Sequence, residues 1–181
     1  MKYITLWLLL VLSIQGVMAQ KYFTKTGLTE LKASVATFEP IEAKNNSTSA
    51  LFNVANGQVA SLLFIKAFRF RVALMEEHFN ENYMDSDKYP KASFKGKVIG
   101  FDFQRLTTQV QVYSLQGTLT IRGKSKAVCT KARIRKLGDK IIVISSFWVK
   151  PVDFGIQIPR IVRKKIAQSI EIKTHYELIK R

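Results

Sequence analysis

The feature that most constrains this chain is an alternation of apolar and polar residues with period two, recurring through most of its length. That is the pattern of strands with two unlike faces. Tyr22 to Phe23 and Thr29 to Thr37 read as opening strands. Phe38-Glu39-Pro40-Ile41-Glu42 interrupts them, because Pro40 has no N–H to give a ladder. Ser47 to Val54 is the next strand, Asn56-Gly57 a tight hairpin turn, and Gln58 to Phe70 an apolar return strand. Further strands read over Lys91 to Phe103, Thr107 to Arg122, Ala127 to Lys136, Lys140 to Val149 and Ile170 to Tyr176. Gly123-Lys124-Ser125 and Gly138-Asp139 are the turns between three of them.

Two stretches leave this period. In Val72 to Asn82, Met75, Phe79 and Tyr83 recur every fourth residue with Leu74 beside them, and Glu76, Glu77 and Glu81 fall elsewhere, which predicts a helix. Pro159 to Ala167 suggests a second short helix, with proline suited to the first turn and Ile161, Val162 and Ile166 as a buried stripe. The fold class is therefore mainly β: about eight antiparallel strands in sequential order, plus one or two helices. A sheet of that size stacks into a sandwich or closes into a barrel, and closure removes the edges. Eight strands enclose a lumen just wide enough for side chains or one slim ligand. In Leu62-Leu63-Phe64-Ile65 and Ile141-Ile142-Val143-Ile144 both faces are apolar. That fits a greasy cavity on one side and a packed cover on the other; a dry, filled core fits equally well.

The compartment is read from the first residues. Lys2 is the only charge before Lys21, followed by an apolar run from Ile4 to Leu12 and small residues with Val17 at −3 and Ala19 at −1. This is a secretory leader cut after Ala19, since the apolar run falls short of the roughly 20 residues a membrane span needs. Residues 20–181 then suit one domain in the periplasm or outside the cell. An exported chain with one cysteine, Cys129, has no internal disulfide. Lying between Val128 and Thr130, it reads as a small buried apolar residue. The domain is long enough to build a core without staples.

The net charge is +16, and it is uneven: from Ile121 onward sixteen Lys and Arg face four Asp and Glu. A basic half often indicates nucleic acid. Export argues for an anionic membrane surface or a phosphate head group instead, with a merely solvated basic face as the alternative. Catalytic signatures are thin. Asp153-Phe154-Gly155 lacks the glycine-rich loop and catalytic loop of a kinase, and no G-x-S-x-G elbow is present. His78 and His175 have no partners at metal-ligand spacing, so no metal site is expected. Asp85 and Asp87 beside Pro90 read as turn residues.

Three stretches carry a resemblance. His78 to Gly96, containing Lys88-Tyr89-Pro90, resembles the YceI-like segment in which a short helix leads through a Lys-Tyr-Pro turn into a strand opening with Phe94. Gly117 to Lys126 is similar to that family's Gly-x-Leu-Thr-Ile-x-Gly hairpin, and Val152-Asp153-Phe154-Gly155-Ile156 to its Asp-Phe-Gly-Ile corner. Pro151 departs from the family's corner pattern. The resemblance implies a lipocalin-like periplasmic barrel that holds a polyisoprenoid, isoprenoid quinone or fatty-acid derivative. It implies no catalytic residues and no cofactor beyond the bound lipid. The lumen candidates are Phe64, Phe68, Phe94, Val98 and Val112, with Leu119, Ile121, Ile142, Ile144 and Trp148. Arg160, Arg163, Lys164 and Lys165 are candidates for a phosphate head group or an anionic leaflet. The rival expectation is a non-catalytic structural or interaction protein of the cell envelope with a filled barrel.

Overall fold

The computed structural model describes residues 20–34, 40–163 and 166–181. The expected leader (residues 1–19), Lys164 and Lys165 lie outside the described residues. The chain forms β1 (Lys21–Ser34), β2 (Glu42–Asn53), β3 (Gln58–Phe64), the two-residue β4 (Arg69–Phe70) and α1 (Ala73–His78). There follow β5 (Lys91–Ile99), β6 (Gln111–Ile121), β7 (Lys124–Leu137), β8 (Lys140–Val149) and β9 (Ile166–Lys180). The eight long strands run in the order β1-β9-β8-β7-β6-β5-β3-β2, and β2 pairs back onto β1, so the antiparallel sheet closes into a barrel. β4 adds to the end of β2 through Ala43↔Phe70.

Local chemistry sets the corners. The β6–β7 hairpin turns on Arg122 (φ 47°) and Gly123 (φ 71°), the double positive-φ pair of a type I′ turn whose twist matches the strands it joins. Further along β6 from this turn, Gly117 faces Gly96 of β5, and the Phe94 ring lies over both. A Cβ at either glycine would come within 2.6 Å of Phe94 Cζ. In β1 and β2, register shifts around Gly27 and between Asn45 and Thr48 reset which residues point inward. Asn45, fully buried at that irregularity, donates to the Phe64 carbonyl at 3.0 Å and accepts from Ser47 N at 2.9 Å, so its amide is not left unpaired.

The interior is divided along the barrel axis. One end is packed solid around Phe52, Val98, Ile134, Ile141 and Leu178. The β5–β6 connection stoppers it: the Phe101 ring packs tilted against Phe52 at 4.7 Å, and Phe103 lies 5.9 Å from Tyr22. The sequence reading placed Phe103 in a strand, but β5 ends at Ile99 and the chain turns in. The other end is ringed by Leu31, Leu63, Ile65, Phe68 and Met84 and leads into open space.

Three further expectations are corrected. Gln58 to Phe70 is not one strand; a 3₁₀ turn at Ile65–Ala67 separates β3 from β4. The second short helix expected over Pro159 to Ala167 is not formed among the described residues: Pro159 to Arg163 is a turn held by Val162 N to Pro159 O at 3.1 Å, and β9 already runs from Ile166. Without a continuing i→i−4 ladder, Ile161 stands 88% exposed rather than in a buried stripe. Cys129 is exposed, because β7 turns Val128 and Thr130 to the lumen and Cys129 away from it.

Candidate functional site

The open half of the barrel holds a cavity of about 360 Å³, within the range of small-molecule sites. Its upper wall is the helical segment. α1 continues as a wider π turn through Phe79–Tyr83, so the expected stripe of Met75, Phe79 and Tyr83 faces the cavity, while Leu74 is exposed. Phe79 packs edge-on to Phe68 at 5.6 Å and against Phe70 at 5.0 Å. Glu76 ties the helix to β4, accepting from Arg69 Nη1 at 2.9 Å and Phe70 N at 3.2 Å. The opposite wall is the segment after β8, contributing Phe154, Ile156, Ile158 and Val162.

No Asp, Glu, Lys or Arg is among the described residues that line the cavity. Polar groups gather halfway down. Thr29 and Thr48 share a hydrogen bond at 2.9 Å, and Ser145 and Thr174 one at 2.7 Å. Tyr176 enters the same level, with the hydroxyls of Ser61, Thr29 and Thr174 as partners of its phenol. Burial pushes the Tyr176 phenol above its ordinary value, and those hydroxyls offset part of the shift. Tyr83, at the rim, is raised by burial alone.

Of the expected lumen residues, Phe68, Phe94, Leu119 and Ile121 line the cavity. Val98 is buried in the packed end instead. The other five lie outside it. Phe64 is half exposed under Lys91 Nζ, and Val112 and Trp148 are more than 60% exposed. Ile142 and Ile144 take the face of β8 opposite Val143. The cause is parity, since a shift of one residue reverses every side chain of a strand. β6 is unbroken, so Val112 and Leu119, an odd number of residues apart, cannot share a face. In β8 the inward set is Val143, Ser145, Phe147 and Val149. Four consecutive apolar residues concealed that register. The missed hydroxyls were visible in the alternation of Ile170, Ile172, Thr174 and Tyr176, though hydrophobicity alone passes over them.

Arg160 and Arg163 are exposed on the turn beside Ile158 and Val162, at the cavity mouth. The three stretches that carried the family resemblance also meet at this end. Arg122 donates to the Gly155 carbonyl at 2.7 Å, and its guanidinium lies 5.7 Å from the Tyr89 ring centre. His78 is exposed near the helix end, and Asp87 pairs with Lys66 at 2.6 Å. Asp85, at φ 50°, holds the turn into the Lys-Tyr-Pro stretch through bonds from Lys88 N and Tyr89 N.

A closed eight-stranded barrel, packed at one end and hollow and apolar at the other, defines a lipocalin-like protein with an internal cavity. The chain belongs to the YceI-like domain family, whose model matches residues 20–178. Among solved structures, a polyisoprenoid binding domain from Saccharophagus degradans, implicated in plant cell wall breakdown, aligns with a TM-score of 0.75 at 12% identity, over 89% of this chain and 98% of that one. Burkholderia cenocepacia BcnA aligns with a TM-score of 0.68 at 18% identity, over 83% of this chain and 95% of that one. The Campylobacter jejuni YceI protein gives 0.58 at 18% identity, over 80% and 86%. At these identities the likeness is one of fold. No curated protein matches the chain.

Proposed function

We propose that this protein binds and carries, or stores, a long-chain amphiphilic lipid in the hollow half of its barrel, in the bacterial periplasm. The observation that supports it best is the cavity itself: an open, apolar lumen of about 360 Å³, with no Asp, Glu, Lys or Arg among its described lining residues, above a packed floor. The filled-barrel alternative describes only the other end. Each methylene moved from water to the lumen contributes roughly 0.8 kcal/mol. An isoprenoid or acyl chain therefore outweighs association costs of roughly 4–15 kcal/mol once enough of it is buried. The polyisoprenoid named for the Saccharophagus domain is a ligand of this kind. The leader read at residues 1–19 supports the compartment.

Loading follows from the mouth. Arg160 and Arg163 flank the exposed Ile161, giving a basic and apolar turn suited to an anionic leaflet. Native mass spectrometry of protein purified from bacterial periplasm tests the carrier reading. A co-purifying lipid mass is the expected result; an apo mass that takes up no added lipid would sink it. Replacing Arg160, Arg163, Lys164 and Lys165 with Gln should weaken binding to anionic liposomes at low salt. Unchanged binding would discard the docking role while leaving the cavity's role intact.

A further inference from the structure

We propose that the belt of hydroxyls halfway down the barrel is a polar subsite that receives an uncharged hydrogen-bonding group of the lipid. The ligand would then lie with that group inward and its hydrocarbon toward the mouth. This rests on the carrier reading and narrows its ligand class to long-chain alcohols or carbonyl compounds, with phosphates and carboxylates disfavoured.

The belt is built across the sheet. Thr29 pairs in register with Thr174, and Thr174 with Ser145, so neighbouring strands β1, β9 and β8 each present a hydroxyl at one height. Thr48 on β2 extends the row through its bond to Thr29, and Ser61 and Tyr176 line the same cavity beside Thr29, Thr174 and Ser145. Packing does not require these residues. Two positions away on the same strands the inward side chains are Leu31, Ile172 and Phe147 above, and Leu178 below. Valine has nearly the shape of threonine and would avoid the cost of burying a hydroxyl.

The hydrogen-bond count points to a guest. Every hydroxyl offers one donor and can accept at two sites. A cluster of hydroxyls that satisfies all its own donors therefore still has acceptor sites open. An O–H from the cavity side matches them, and rotation of one hydroxyl lets the belt donate to a carbonyl. A phosphate or carboxylate would shed its water here and meet no Lys or Arg among the described lining residues; His78, the one imidazole on the lining, is exposed at the end of α1 and is not part of the belt. The chain also gives up a side chain to seat the phenol. A Cβ on Gly27 would fall 2.6 Å from Tyr176 Cδ1.

The test uses delipidated mature protein carrying the fluorescent hydrocarbon diphenylhexatriene, displaced in turn by 1-hexadecanol, hexadecane and hexadecyl phosphate. We expect the alcohol to bind about tenfold tighter than the alkane, the size of one well-made hydrogen bond. Thr29→Val with Thr174→Val, and separately Ser61→Ala, should bring that ratio towards one through a loss of alcohol affinity. Ser61 is only partly buried, so its variant guards against a folding defect. Equal wild-type affinities for alcohol and alkane would overturn the proposal, as would a ratio that the variants do not move. Preference for the phosphate would overturn it too. Displacement by none of the three probes would defeat the carrier reading itself.

Discussion

Gly27 sits in mid-strand, where glycine weakens a ladder, and its reason is Tyr176, whose ring occupies the space a side chain would need. The Thr48 carbonyl closes the same space from the other side, at 2.9 Å from the Cβ position. Gly27→Ala is therefore expected to cost about 1–3 kcal/mol through overpacking, read by chemical denaturation. Shortening Tyr176 to Leu as well should recover only the part of that cost due to the ring, because the Thr48 carbonyl remains. The phenol makes a second prediction. Its folded pKa is raised by burial above the ordinary 10.0. The unfolded chain therefore releases the proton first, and stability that is full below pH 10 falls as pH climbs through the folded value. The groups around the phenol, Ser61, Thr29 and Thr174, are uncharged. Tyr176→Phe should thus flatten the alkaline limb of a pH–stability curve. An unchanged limb would show that Tyr176 is not the group responsible. Residue 176 was legible as part of an alternating strand, but its partners across β1 and β3 were not, because pairing between distant strands leaves no mark in local sequence.

At the scale of elements, the open end is held by a clasp made from three separated stretches. Arg122 stands at the β6–β7 turn, reaches the Gly155 carbonyl beyond β8, and lies over Tyr89 before β5. Lys124 packs beside it, 2.8 Å from the Cβ position of Gly155. Gly155 adopts φ 70°, which ends the 3₁₀ turn at Pro151–Phe154. Pro151, the departure from the family's corner, starts that turn, where proline is compatible with helical geometry. The clasp explains why the family-like stretches are spread along the chain: each supplies one side of a single corner. Arg122→Asn separates the turn from the clasp, since asparagine tolerates positive φ but cannot span to Gly155. We expect the hairpin to survive and hydrogen exchange to quicken over residues 150–156. Unaltered protection there would mean that the corner is held by Phe154 packing alone. The helix was legible from its spacing, but its end in a π turn and the turn at Pro159 were not. Both are set by packing against β4 and the mouth.

For the whole molecule, the two readings left open by the sequence, a filled core and a lined cavity, describe opposite ends of one barrel. The runs Leu62-Leu63-Phe64-Ile65 and Ile141-Ile142-Val143-Ile144 marked the interior but did not divide it. The division depends on Phe101 and Phe103 folding in as a stopper, which their sequence does not announce. It also separates stability from capacity. Phe52 is fully buried against the stopper, so Phe52→Ala should cost about 3–5 kcal/mol while diphenylhexatriene uptake per folded molecule stays at the wild-type level. Leu119 lines the hollow end, where a larger side chain meets space before it meets atoms. Leu119→Trp should leave the denaturation midpoint near that of the apo wild type and remove most of the probe uptake. If instead Leu119→Trp unfolded the barrel and Phe52→Ala emptied it of probe, the assignment of one end to folding and the other to the guest would be reversed.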